Sequence, residues 1–125
     1  MKKQITNLLL LTILLFSANT LSAQVMNKKS LLADLNKTEE VKLTPEQQKE
    51  YEEINGKLAD DLIKVSSSTK SKEEKDKETD RLFDKRDEDV DGIFGLDEKY
   101  KDTKKSLKRQ SRGIRLKVKA AKLVL

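Results

Sequence analysis

The chain has 125 residues and neither cysteine nor histidine, which excludes disulfides, a thioether lipid anchor, the commonest metal ligand and the commonest neutral-pH general base. Charged residues make up 39% and aromatics 4%, with one proline and four glycines, a composition of solvated helices in a single small domain and not of sheets. The formal charge of +5 hides an asymmetry, because Lys104 to Leu125 carries nine basic residues and no acidic one, leaving an acidic body with a basic tail.

The first 23 residues read as a cleavable export signal. Lys2 and Lys3 give a positive start, Leu8 to Phe16 is apolar except for Thr12, and Ser17 to Ala23 is small and polar apart from Leu21. The apolar run falls short of the roughly 20 residues needed to span a bilayer. Cleavage between Ala23 and Gln24 would release a periplasmic or secreted chain.

Residues 24–42 scatter Leu31, Leu32, Leu35 and Val41 among polar residues and are expected to form an extended lead-in with a helical turn or two near Ser30 to Asn36. The first strong helix signal is Leu43-Thr44-Pro45-Glu46-Gln47. Thr44 can cap the helix, Pro45 sits where a missing N–H costs nothing, and Gln47 can close a capping box. Tyr51, Ile54, Leu58, Leu62 and Val65 then recur three and four residues apart, one apolar stripe on a charged helix. Ser66-Ser67-Ser68-Thr69 stops it. Ser71 and Glu74 repeat the capping-box spacing and open a second helix to about Gly92, with Leu82, Phe83, Val90 and Ile93 as its apolar positions.

Folded back about a turn near residue 68, the two helices set Ile54 opposite Phe83 and Gln47 opposite Val90, with Leu43 near Ile93 and Phe94. The segment Ser66 to Arg81 contains nothing apolar. Within the hairpin, therefore, Leu58, Leu62, Ile63 and Val65 lack partners. Covering one such side chain is worth roughly 1.5 to 3 kcal/mol, so a second subunit or a bound polypeptide is expected over them. Tyr51, Ile54, Leu58, Leu62, Ile63 and Val65 are accordingly the candidate client or dimer contacts. Leu96, Tyr100, Thr103 and Leu107 predict a third helix over 96–112, and Gly113 weakens its continuation. Residues 113–125 form a basic amphipathic tail that fits either a strand, from the alternation Ile114 to Lys119, or a helix, from Leu116, Ala120, Leu123 and Val124.

The motif Leu43, Thr44, Pro45, Gln47 resembles the Leu-Thr-x-x-Gln signature of the Spy/CpxP family of periplasmic stress proteins. A degraded second copy lies at Phe94-Gly95-Leu96-Asp97-Glu98, where Gly95 replaces the capping Thr and Glu98 the closing Gln. The resemblance covers about residues 43–107 and implies an all-α homodimer that shields unfolded clients without ATP, and no enzyme. A competing pattern is Asp87-x-Asp89-x-Asp91-Gly92 followed by Glu98, which matches a calcium-binding EF-hand loop, with the carbonyl of Ile93 as a further ligand. Against it, Arg86 and Lys99 stand where apolar residues normally seat the flanking helices. No other cofactor is implied. A third alternative is a structural or regulatory partner of an envelope sensor. The basic tail lacks aromatic residues for stacking on nucleic acid, which is not an expected partner, and leaves contact with a membrane surface open.

Overall fold

The computed structural model describes residues 25–125; the predicted leader and its cleavage site lie outside them. A short strand β1 (Val25–Asn27) leads into helix α1 (Lys28–Leu35), followed by α2 (Pro45–Ser67) and α3 (Lys72–Phe94). A 3-10 turn (Glu98–Tyr100) then opens α4 (Lys101–Ala120), and strand β2 (Lys122–Val124) pairs parallel with β1. The described chain is thus mostly α-helical.

The helix boundaries follow from local chemistry. At the start of α2 the capping box is complete. Gln47 N–H donates to Thr44 Oγ1 at 3.2 Å and Thr44 N–H to Gln47 Oε1 at 3.0 Å. Ser71 Oγ accepts from Glu74 N–H at 3.2 Å to start α3, which ends where Gly95 turns to φ 67°, a region that favours glycine.

Two expectations for the flanking segments are corrected. Residues 24–42 are not simply an extended lead-in, because Lys28–Leu35 is helical, capped by Asn27 Oδ1 accepting from Ser30 N–H at 2.8 Å. A helix this short is marginal alone, and burial of Leu31 and Leu35 on the core stabilises it. In the tail, the helix runs through Gly113 to Ala120 and a strand follows. Ile114 and Val118 extend the buried stripe begun by Leu107 and Ser111. The third helix proper starts at Lys101, leaving Leu96 almost fully exposed.

The α2–α3 hairpin is antiparallel, with Arg86 reaching both Tyr51 and Asn55. Its open end packs Tyr51, Val90, Phe94 and Leu107 with the half-buried Leu43, Ile54, Ile93 and Tyr100. Its turn end overturns the premise of an uncovered ridge. Leu58, Leu62 and Ile63 are buried beneath Leu31 and Leu35 of α1, Ile114 and Val118 of α4, and Leu123 of β2, with Val65 half-buried at the margin. Coverage comes from segments distant in sequence on both sides of the hairpin, so the ridge demands no second subunit.

Candidate functional site

The proposed contact residues divide in two. Tyr51, Leu58, Leu62 and Ile63 belong to the core, whereas Val65 is half-buried at the turn end and Ile54 half-buried beside an open groove between α2 and α3. The groove holds about 250 Å³. Ile54, Leu58 and Leu82 give it an apolar floor, and Glu53, Lys57 and Asp61 from α2 face Lys85 and Asp89 from α3 around it. Helical periodicity separates the groove side of α3 from the side that meets α4: residues 82, 85 and 89 lie on one flank, and 80, 84, 87 and 91 on the other.

Beneath the groove lies a polar network. Arg86, 3% exposed, donates from Nε to Asn55 Oδ1 at 3.0 Å, from Nη2 to Tyr51 Oη at 2.6 Å, and from Nη1 to Asp87 Oδ1 at 3.1 Å. Asn55 Nδ2 in turn donates to the Leu35 carbonyl at 3.1 Å and to Asn36 Oδ1 at 2.9 Å, tying the end of α1 to the hairpin. A buried guanidinium is costly unless its donors are met, and here all three nitrogens have partners. The sequence carried a signal for this network, since Asn55 and Arg86 interrupt otherwise apolar helical stripes.

The α4 flank is electrostatic. Arg115 meets Asp84 at 2.8 Å, Asp80 at 3.6 Å and Asp87 at 3.8 Å; Lys119 meets Asp80 at 2.6 Å and Lys108 meets Asp91 at 3.2 Å. The basic tail is therefore docked on acidic residues of the same chain. Two of these pairs occupy Asp87 and Asp91 of the calcium pattern.

The segment expected as a loop at 87–98 is helical as far as Phe94, with Asp87 and Asp91 meeting cations on α4. Asp87 and Asp91 lie one turn apart facing Arg115 and Lys108, while Asp89 projects from the groove flank. Ile93 joins the core margin and Glu98 starts the 3-10 turn, exposed. Among the described residues, no three His, Cys, Asp or Glu side chains are grouped to hold a metal ion.

The four residues of the first motif act as a helix start, with Leu43 packed at the open end of the hairpin. The degraded copy does not repeat this arrangement. Gly95 closes α3, and Asp97 Oδ1 accepts from Lys99 N–H at 3.1 Å to cap the turn that follows. No helix among the described residues is long and apolar enough to cross a membrane. Comparisons with protein-family models, with curated proteins and with solved structures gave no match.

Proposed function

We propose that this protein is an exported, non-enzymatic holder of unfolded or aggregation-prone polypeptides that works without ATP, as its resemblance to the Spy/CpxP family implies. The observation that carries this reading is the α2–α3 groove, an apolar floor ringed by carboxylates and ammonium groups. Such a surface gives weak apolar contact to many sequences, and its charges attract clients and keep the complex soluble. Client contact moves from the buried ridge to Ile54 and its neighbours at the groove. The absence of cysteine and histidine fits a binding role better than a catalytic one.

The test is suppression of aggregation of two unrelated denatured enzymes by the mature chain without nucleotide. Suppression is expected, and Lys57→Glu/Lys85→Glu, which reverses two exposed charges at the groove, should change it with the melting temperature nearly unchanged, whereas Ile54→Lys should reduce it at some cost in stability because Ile54 also packs on the open-end core. Leu62→Asp should instead unfold the protein, since it places a charge in the core. Unaltered client aggregation in the presence of the mature chain would dismiss the role.

A further inference from the structure

A second surface lies where the chain's two short strands meet. Strand β2 crosses the turn end of the hairpin as a strap, with Leu123 buried beneath it and the Leu123 N–H donating to Ser66 Oγ at 3.0 Å. Its sheet is minimal, with Val25, Met26 and Asn27 facing Lys122, Leu123 and Val124 in parallel register. A two-stranded ladder of this length has little stability of its own, so the strap opens at a lower free energy than the helices beneath it. Leu123, 4% exposed, forms part of the wall of an open cleft of about 760 Å³ that runs beside it, shared with Leu62 and Val65 of α2 and Val118 of α4. The rim carries Lys72, Lys75, Lys119 and Lys122; Lys72 pairs with Asp76 and Lys119 with Asp80, and Lys75 and Lys122 have no carboxylate partner among the described residues.

We propose that this cradle is a binding site for an extended apolar peptide segment, and that β2 is its resident occupant, exchanged for a client strand. The seated strand itself specifies the ligand. It is a chain in β conformation that pairs parallel with β1 and sends one side chain into the cleft, the mode by which exposed strands accept a partner strand. The cleft beside Leu123 leaves room for a larger side chain than leucine, such as phenylalanine. On the rim, Lys75 and Lys122 favour carboxylates flanking that residue. Exchange would also bare Leu62 and Val65, the ridge residues that the strap helps to cover. The origin of the peptide in an unfolded client rests on the holding role proposed above; the binding of the peptide does not.

Since the chain has no cysteine, the strap can be locked cleanly. Val25 and Lys122 are opposed in the ladder and both exposed, so the Val25→Cys/Lys122→Cys variant of the mature protein should close a disulfide on oxidation. Its binding of a labelled peptide of about eight residues, with phenylalanine at alternate positions and acidic ends, is read by fluorescence anisotropy. The reduced protein should bind and the oxidised protein bind at least about tenfold more weakly, with aspartate in place of phenylalanine abolishing binding. A second variant, Leu123→Ala, loosens the strap without a crosslink and should bind more tightly than the natural sequence, its helix content by circular dichroism being retained. Equal binding by oxidised and reduced forms, or no binding by either, overturns the cradle. Peptide binding alone decides this inference, whereas aggregation suppression decides the holding role, so either can fail without the other.

Discussion

Tyr51 Oη accepts a 2.6 Å hydrogen bond from Arg86 Nη2 inside the core, joining α2 to α3 with a charged donor where both neighbouring positions on the stripe are apolar. Removing the acceptor alone leaves a buried cation short of a partner. Tyr51→Phe should therefore lower stability by about 1 to 3 kcal/mol, measured by urea denaturation. Arg86→Met also orphans Asn55 Oδ1, so it is destabilising by itself, and the double variant Tyr51→Phe/Arg86→Met should cost less than the sum of the two single changes. Strict additivity of the two single changes would show that the bond contributes no coupling.

Ser111 presents the opposite case. It is 1% exposed on the buried face of α4, and its hydroxyl has no hydrogen-bond partner among the described residues. Ser111→Ala deletes a desolvated polar atom and installs a better helix former, so stability should rise by about 1 kcal/mol. A lower melting temperature in calorimetry would mean that the hydroxyl is satisfied in solution.

Gly92 separates the helical reading of 87–98 from a calcium loop. It lies within α3, and a methyl group added there would meet nothing within 4 Å. In a helix, Gly92→Ala should raise stability by roughly 0.5 to 1 kcal/mol, whereas in an EF-hand loop the same change would strain the turn that glycine allows. The expected result is a raised melting temperature that millimolar calcium leaves unmoved.

Glu78 supplies a pH dependence. The hydrogen bond from Arg81, at 2.9 Å from Nη2 to Oε2, and the charges of Arg81 and then Lys70 hold its carboxyl below the ordinary value of 4.5. A lowered folded-state value means that the ionised pair adds stability fully above pH 4.5, and that this is lost as pH falls through the lowered value. Because the carboxylate is exposed, the effect is small. Arg81→Gln should move the Glu78 carboxyl titration, followed by NMR, back toward 4.5; an unmoved midpoint would assign the shift to another cause.

What could be read from the sequence was what short-range chemistry dictates. Thr44 and Gln47, or Ser71 and Glu74, carry their capping geometry within four residues, and the stripe from Tyr51 to Leu62 declares its helix through spacing alone. The long-range part was hidden. Nothing local announces that Leu31, Ile114 and Leu123 converge on Leu62, because each belongs to a segment too short or too polar to declare its own structure. At 87–98 residue type and tertiary setting diverge: Asp87, Asp89 and Asp91 suit a loop by type, whereas Asp87 and Asp91 pair with Arg115 and Lys108 on α4 and Asp89 lines the groove. The groove is half legible: helical spacing marks Ile54 and Leu82 as apolar, while Lys85 and Asp89 become its wall only in the assembled hairpin.

The ladder joins the first described element to the last, so the contact with the greatest separation along the chain is also the one that closes the molecule. Closing so long a loop is entropically slow, and it requires residue 124 to be at hand. A chain that emerges amino end first in synthesis holds its leading strand unpaired until Lys122 to Val124 follow, so the last pairing to form waits on the last of the two strands to appear.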